Sequence, residues 1–217
     1  MGKSDRTVKH HPALPYAEIG NFVGDLRKLD GLGASALDLT ILCVTRTHET
    51  LGARKAEFDL AGAVWVIPAT RMKGRKLERR EHRVPLSRQA VKLLRLLFAA
   101  YPKSEFVFPG LGTRTHLSGM AMLKVLERMG REDITVHGFR SSFRDWAADR
   151  TEYHRDLAEE ALAHVIEGKT EAAYRRGDSL EKRRPLMQAW ADYCERPVAE
   201  VVALRSAGEL VREDEAT

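Results

Sequence analysis

The stretch 133–149, whose sequence is DITVHGFRSSFRDWAAD, carries a histidine and an arginine close to its start, His137 and Arg140. Residues 133–136 form a link, and the pattern that follows predicts a helix from about His137 to Asp149. His137 and Arg140 stand three positions apart at the start of this helix, so both side chains point to one side. Both can donate hydrogen bonds, and the planar fork of arginine suits phosphate. The stretch therefore predicts a helix start that can hold a phosphate group.

Other residues outside this stretch fit the same chemistry: Arg46, Lys73, His164 and Tyr174. Arginine and lysine supply the charge stabilisation that a metal would otherwise give to a phosphodiester. A tyrosine can attack phosphorus and form a covalent intermediate. Its phenol has an ordinary pKa near 10, so it needs a base or a cation nearby. The set predicts phosphodiester chemistry without a metal and without a cofactor.

The hydrophobic pattern predicts a fold that is mainly α with a small antiparallel β-sheet. Strands are predicted at 64–68 and 83–86, joined by a charged hairpin over 71–82. Ser87 is predicted to cap the helix that follows the second strand. The other predicted helices are 17–29, 34–46, 118–129, 137–149, 155–163, 170–176 and 179–195. Arg46 is thus expected to close a buried helix.

The chain of 217 residues is expected to hold one folded domain over 16–196. Residues 1–15 are predicted to be a flexible lead-in, and 197–217 a C-terminal tail with a possible helix. The formal net charge is +5, and the hairpin region 71–88 holds eight basic and two acidic residues. A polyanionic partner is therefore expected.

The composition also excludes several classes of protein. No run of 18 apolar residues is present, and the polar start of the chain does not resemble a secretory signal. Cys43 and Cys194 are far apart and lie in apolar helical patterns, so we expect two buried, reduced thiols and a cytoplasmic protein. Trp65, Trp146 and Trp190 follow the spacing of core residues and are predicted to pack rather than to stack on bases.

These residues together resemble the catalytic domain of tyrosine recombinases, specifically the phage-type integrases of prophages and genomic islands. The resemblance covers about residues 10–196. Its motifs are Arg46-Thr47-His48-Glu49, Arg71-Met72-Lys73, His137-Gly138-Phe139-Arg140, Leu162-Ala163-His164 and Glu171-Ala172-Ala173-Tyr174-Arg175-Arg176. The recombinase fold and a DNA-breaking and rejoining activity are what the resemblance implies.

The resemblance also implies a role for each site residue. Tyr174 would attack the scissile phosphate, leaving a 3′-phosphotyrosine and a 5′-hydroxyl. Arg46 and Arg140 would hold the non-bridging oxygens. Lys73 would protonate the leaving 5′-oxygen, with Lys76 as the competing hairpin lysine. The remaining roles are proton transfer at the tyrosine for His137, a hydrogen bond to phosphate for His164, and orientation of the site for Glu49.

The resemblance implies that the partner is double-stranded DNA and that the compartment is the bacterial cytoplasm. It also implies that the protein works as an assembly on DNA, which is a tetramer in the family. We expect a monomer in the absence of DNA. The residues predicted to contact DNA are Arg71, Arg75, Lys76, Arg79, Arg80, Arg175 and Arg176. Integrases of this type usually carry N-terminal DNA-binding domains before the catalytic domain, so low, salt-sensitive DNA affinity is expected here. The C-terminal tail is expected to dock on a neighbouring protomer.

Two other functions remain open at this point. The chain could be a noncatalytic DNA-binding remnant of an integrase, or a nicking–closing enzyme of the type IB topoisomerase kind. Tyr153 is the nearest rival nucleophile, but it precedes His164 and lies outside the motif. His48 stands where the family often has glycine, and is expected simply to fill space.

Overall fold

The computed structural model describes residues 12–73, 80–111, 115–164 and 178–196, which are mostly helical with one small sheet. This confirms the predicted fold class. The helices are α1 (Ile19–Leu26), α2 (Leu32–Cys43), α3 (Thr47–Leu51), α4 (Arg88–Ala100), α5 (Ala121–Arg128), α6 (Gly138–Arg150), α7 (Arg155–Ala161) and α8 (Leu180–Cys194). Short 3₁₀ turns cover Tyr16–Glu18, Lys55–Glu57 and Ala69–Arg71. The predicted helix 170–176 and the tail 197–217 lie outside the described residues.

The sheet is antiparallel and has the strand order β1-β2-β3. Its strands are β1 (Phe58–Asp59), β2 (Val64–Ile67) and β3 (His82–Pro85). Val64 pairs with Pro85 and Ile67 with His82, as a hairpin between the two predicted strands requires. Strand β1 was not predicted, because two residues are too few to show an alternating pattern.

Helix α2 forms the centre of the core. It is apolar on nearly every side, apart from the buried Asp38 and Thr40, and Leu37, Leu39 and Ile41 are at most 1% exposed. Helices α1, α3, α4, α5 and α8 all pack against it. A helix surrounded in this way needs no polar face, which is why its sequence shows no amphipathic pattern.

The predicted end of this helix at Arg46 is wrong. Helix α2 ends at Cys43, because Val44 adopts a left-handed conformation with φ of 50°. Such a φ is uncommon for a β-branched residue and cannot continue a right-handed helix. Arg46 is instead the residue that precedes and caps α3.

Several other helix boundaries also differ from the predicted ones. The helix predicted over 17–29 begins as a 3₁₀ turn and ends at Leu26, before Gly31, whose φ is 110°. The helix predicted from Ser118 begins at Ala121, although the Ser118 hydroxyl accepts a hydrogen bond from the Met120 amide. The cap at Ser87 is confirmed, since its hydroxyl accepts from the Ala90 amide at 3.3 Å.

The three tryptophans pack in the core, as predicted. Trp65 and Trp190 are fully buried, and Trp146 is 3% exposed. The Trp190 ring donates from Nε1 to the carbonyl of Ile41 at 2.8 Å, so a polar bond joins α8 to α2. The indole of Trp65 likewise donates to Glu57 at 2.9 Å.

The two cysteines lie in the core, as predicted. Cys43 and Cys194 are both buried and unpaired, and burial raises the pKa of each thiol. Within the described part of the chain, no helix is long and apolar enough to cross a membrane.

Candidate active site

The candidate site is built around the C-terminal end of α7. Ala163 takes a left-handed φ of 49°, its amide donates to Glu160, and the His164 amide donates to Glu159. These two bonds, each 3.0 Å long, are the Schellman arrangement that closes a helix. The turn leaves the carbonyls of Leu162 and Ala163 available to side chains and fixes the position of His164.

Arg140 reaches this helix end from α6. Its side chain is buried, and it donates from Nη2 to the Leu162 carbonyl at 2.6 Å and from Nη1 to the carbonyl of Val44. Nη2 also lies 3.2 Å from Nε2 of His164. The left-handed turn at Val44 therefore has a visible consequence: it presents a carbonyl to Arg140.

Arg46 reaches the same helix end from the start of α3. Its Nη2 donates to the Ala163 carbonyl at 3.3 Å, next along the chain from the Leu162 carbonyl used by Arg140. Glu49 holds it there, because Oε1 pairs with Nη1 and Oε2 accepts from the Arg46 amide, both at 2.8 Å. Glu49 is 1% exposed, so its carboxylate is shielded from water and its role is to hold Arg46 in place.

The electrostatics of the pair favour binding of an anion. Burial, together with the neighbouring charge of Arg46, lowers the pKa of Arg140 to about 10, while Glu49 and Glu159 oppose the shift. Two like charges near each other at the end of a helix are stabilised by its carbonyl dipoles and by any bound anion. Among the described residues, Nε of Arg140 is buried without a hydrogen-bond partner, so the guanidinium retains an unused donor.

His164 is oriented from both sides of its ring. Nδ1 lies 2.6 Å from a carboxylate oxygen of Glu159, and Nε2 faces Arg140. Because arginine can only donate, the consistent assignment has Nδ1 protonated and Nε2 as the acceptor. The side chain is 38% exposed, so it forms the solvent-facing border of the site.

His137 lies at the start of α6, where it is exposed while Arg140 is buried. The glycine between them has a packing reason. A Cβ at Gly138 would overlap the Pro12 carbonyl and come within 2.8 Å of Cα of Ala13. The segment 12–14 crosses α6 here and is bound by Thr135 and Ser142. The helix start is thereby fixed in position.

Lys73 is exposed and lies at the edge of a groove of about 530 Å³. The groove is also lined by His48, Arg54, Phe106 and His116. Lys76 lies outside the described residues, so the choice between the two lysines stays a prediction.

Two of the predicted DNA-contacting residues, Arg71 and Arg80, lie in the described part of the chain. Arg71 is engaged inside the protein: it pairs with Glu57 and donates to the Glu49 carbonyl at 2.8 Å, while its own carbonyl faces the His48 ring. Arg80 is exposed. Outside the described residues lie the predicted nucleophile Tyr174 and the predicted DNA contacts Arg75, Lys76, Arg79, Arg175 and Arg176.

Two residues of this region were missed in the sequence. His82, at the start of β3, bonds to the Ala161 carbonyl; burial and the charge of Arg183 lower its pKa to about 4. Arg183 is 1% exposed and bonds to Asp178. His82 and Arg183 both lie in stretches rich in basic residues. The sequence of such a stretch does not show which side chain is buried and which of its neighbours is exposed. Their tertiary contacts were the only signal.

Comparison with known proteins gives consistent results. The model of the phage integrase family matches residues 25–180. A prophage integrase of Escherichia coli K12, IntZ, is 38% identical over 189 residues, covering 86% of this chain and 46% of the relative. The integrase of Enterobacteria phage P4 is 33% identical over 206 residues, covering 88% and 47%. The chain thus spans about half the length of the curated relatives it matches.

Solved structures with a similar fold are more distant in sequence. XerH recombinase bound to its difH substrate, in a pre-cleavage complex, superposes with a TM-score of 0.56 at 18% identity, over 82% of this chain and 55% of that one. XerA recombinase gives 0.57 at 11% identity, over 83% and 64%. These similarities concern the fold.

Proposed function

Because the chain belongs to the phage integrase family, we propose that it is the catalytic part of a site-specific tyrosine recombinase. In this proposal it cleaves and rejoins double-stranded DNA through a 3′-phosphotyrosine on Tyr174. The integrases named above, one of them from a phage, support a role in integration or excision of a mobile element. A protein that acts on chromosomal DNA in this way would work in the bacterial cytoplasm.

The observation that carries the proposal is the pairing of Arg46 and Arg140 on successive carbonyls of one helix end. They lie 94 positions apart in the sequence, yet both guanidinium groups bond to the end of α7 just before His164, and Arg140 also lies 3.2 Å from the His164 ring. Such a set of donors is suited to the two non-bridging oxygens of a phosphodiester, whose charge grows in the transition state. Each lost donor is expected to cost on the order of 10²–10³ in rate.

The proposed reaction is a transesterification with no net change in bond energy. The phenolate oxygen of Tyr174 attacks phosphorus, a Tyr–O–P bond forms, and the P–O5′ bond breaks. Lys73 gives its proton to the leaving 5′-oxygen, and His137 assists removal of the phenolic proton. Attack by a 5′-hydroxyl from a second strand reverses these steps and restores a phosphodiester.

DNA is proposed as the partner on two grounds. A solved relative in fold is described as bound to its difH substrate, and the chain carries a net charge of +5. Strand exchange needs more than one active site, so we propose assembly on DNA, with a monomer in its absence. Binding to DNA is expected to weaken steeply as salt is raised, because counterion release dominates such contacts.

The test is to trap the covalent intermediate. A pool of duplexes with randomised sequence is incubated with the protein in EDTA, so that any cleavage occurs without a metal ion. Each duplex carries a nick near its centre, because the short fragment released by cleavage is then lost and religation is prevented. DNA that stays attached in detergent is recovered and sequenced, and the modified residue is identified by mass spectrometry. We expect attachment at Tyr174, loss with Tyr174→Phe, and no loss with Tyr153→Phe as the matched control. Absence of any adduct, or an adduct that survives Tyr174→Phe, contradicts the proposal.

A further inference from the structure

Arg71 binds the short helix α3 through both its side chain and its backbone. Its Nη1 donates to the Glu49 carbonyl at 2.8 Å, and its own carbonyl lies 3.2 Å from Nε2 of His48. A carbonyl can only accept, so Nε2 of His48 carries the proton in this bond. His48 was expected simply to fill space, and the structure instead gives its ring a partner. Helix α3 and the segment 69–73 are therefore joined at two points.

The other branch of the Arg71 guanidinium is tied to the core. Nη2 pairs with a carboxylate oxygen of Glu57, and the same oxygen accepts a hydrogen bond from Nε1 of the fully buried Trp65 at 2.9 Å. The side chains of Arg71 and Glu57 are only 19% and 10% exposed. Gly52 leaves room for the guanidinium, because a Cβ there would lie 3.1 Å from Nη1. A planar fork held on two acceptors has one orientation, so Arg71 is fixed relative to α3.

Helix α3 connects Arg71 to the candidate site through short bonds. The Glu49 carbonyl accepts from Arg71, while the Glu49 carboxylate binds Nη1 and the amide of Arg46, both at 2.8 Å. Arg46 in turn donates to the Ala163 carbonyl at 3.3 Å. A single residue, Glu49, therefore lies between Arg71 and the pair formed by Arg46 and Arg140.

Lys73 follows Arg71 by two residues and lines the same groove as Arg71 and His48. Two residues of chain span at most about 7 Å, so the Cα atoms of Lys73 and Arg71 lie within that distance of each other. In this stretch Met72 is buried, whereas Thr70 and Lys73 are exposed. The core therefore holds the stretch at Met72, and Arg71 holds it against α3.

The bonding of Arg71 favours a role inside the protein over the DNA contact predicted for it. Its Nη1 and Nη2 are both engaged, and its Nε is buried. An arginine that binds a DNA phosphate needs donors that can face the DNA. A buried ion pair is also weak evidence for stability, because apolar side chains of similar volume often stabilise a fold as well. Neither DNA contact nor core packing alone explains this network.

We propose that Arg71, assisted by His48, is a positioning residue that holds Lys73 at a set distance from Arg46, so that the lysine meets the leaving 5′-oxygen of the phosphate bound by Arg46 and Arg140. This inference rests on the proposed function, because it takes Lys73 as the proton donor. Arg71 and His48 act on the reaction only through the chain that carries the lysine. Displacement of a reacting group by about 1 Å can cost on the order of 10² in rate.

The first test measures the rate of adduct formation at saturating DNA. The substrate is a nicked duplex of one sequence recovered in the adduct experiment. Arg71→Met is combined with Glu57→Gln, which avoids leaving a buried unpaired carboxylate and retains an acceptor for Trp65. We expect this double variant to cleave about 10- to 100-fold more slowly, with the Kd for DNA within about twofold of the unaltered protein. An unchanged cleavage rate would overturn the inference.

The matched control is Arg184→Met. Arg184 likewise bonds to one carboxylate and one backbone carbonyl, those of Glu181 and Ala63, and its loss should leave cleavage unchanged. His48→Ala alters an exposed side chain, so the fold should survive, and loss of its one bond to Arg71 should slow cleavage by about 3- to 10-fold. A Kd that rises by tenfold or more in the Arg71 variant, with a shallower salt dependence, would show a DNA contact and overturn the positioning role.

A substrate with sulfur in place of the leaving 5′-oxygen isolates the proton-transfer step. When the P–S bond breaks, its electron pair stays on sulfur as a thiolate, which needs no proton because a thiol is much more acidic than an alcohol. On this substrate we expect the Arg71 variant and Lys73→Ala each to regain at least about tenfold of the lost rate. An equal loss on both substrates would overturn the positioning of Lys73 by Arg71. A Lys73→Ala protein that cleaves ordinary DNA normally would overturn the assignment of Lys73 in the proposed function.

Combining the changes shows whether they act through the same group. In a Lys73→Ala background, the Arg71 and Glu57 changes should cost less than about threefold, because the side chain that they position is absent. Losses that simply multiply would indicate independent effects and overturn the inference.

Hydrogen exchange gives a readout that does not depend on activity. The amides of Arg71 and Met72 donate to the Pro68 and Ala69 carbonyls, so peptides covering 69–73 report on this turn. They should exchange faster in the Arg71 variant than in Arg184→Met. Unchanged exchange overturns the inference and leaves the proposed function intact. Absence of adduct from the unaltered protein overturns the proposed function instead.

Discussion

Arg140 donates from Nη2 to the backbone carbonyl of Leu162 at 2.6 Å, which joins the start of α6 to the end of α7. A backbone acceptor places the guanidinium without consuming its charge. Because the Val44 carbonyl accepts from Nη1 of the same fork, the plane of the side chain is set by two distant parts of the chain. This geometry requires arginine in particular, and not only a cation.

Arg140→Lys should therefore abolish most of the cleavage. Lysine provides one point of charge and cannot satisfy two carbonyls and a phosphate from a rigid fork. We expect adduct formation at saturating DNA to fall by at least 10², with DNA affinity changed much less. Arg144→Lys, one turn further along α6 and 44% exposed, should retain full activity. A rate for Arg140→Lys above one-tenth of that of the unaltered protein would show that charge alone suffices.

Glu49→Ala should destabilise the fold as well as the site. The change leaves the Arg46 guanidinium without its partner and removes the cap on the amide of Arg46. Breaking a buried pair together with a helix cap is expected to lower the free energy of unfolding by about 3 kcal/mol. Urea denaturation measures this value. The control is Glu127→Ala, which removes an exposed pair with Lys124 and should change stability by less than about 0.5 kcal/mol.

Gly138→Ala and Gly24→Ala should have opposite effects. At 138 the added methyl overlaps the Pro12 carbonyl, and we expect a loss of about 1–3 kcal/mol in unfolding free energy. At Gly24, inside α1, a Cβ meets no atom within 4 Å, so alanine should add about 0.5–1 kcal/mol. Thermal or urea unfolding of both variants checks the pair. A neutral Gly138→Ala would mean that the segment 12–14 does not hold α6.

His82 should make the protein sensitive to mild acid. Its pKa is about 4 in the folded state and about 6.5 when unfolded, because burial and the charge of Arg183 disfavour its protonated form. Between pH 6.5 and pH 4 the unfolded chain binds a proton at His82 that the folded protein does not bind. The contribution of His82 to the free energy of unfolding is therefore complete above pH 6.5 and is lost as the pH falls toward 4. The contribution is at most about 3 kcal/mol.

His82→Gln should remove this part of the acid dependence. The measurement is the difference in urea unfolding free energy between pH 7.5 and pH 5, which should be smaller in the variant. His154→Gln alters an exposed histidine and should keep the difference seen in the unaltered protein. Equal pH differences in all three proteins would contradict a half-buried His82 that stays neutral in the folded protein.

The sequence by itself determined the element types and the residues with suitable chemistry. Periodicity located α4, α6 and α8 and the strand pair β2–β3, because burial of one face leaves a regular local pattern. It failed at Arg46, where a left-handed Val44 ended a helix that the apolar pattern continued. Backbone conformation of that kind depends on what the carbonyl contacts, and no local pattern records it.

Only the tertiary structure decided how these residues are used. Arg46 and Arg140 meet on carbonyls of α7, and a backbone carbonyl has the same chemistry at every position, so no sequence motif marks it as an acceptor. Likewise, Arg183 is buried and pairs with Asp178, while its neighbour Arg184 pairs with Glu181. Hydrophobic spacing encodes which face of an element is buried. The partner of each buried charge is set by how distant elements pack together, and that packing made a site from separate motifs.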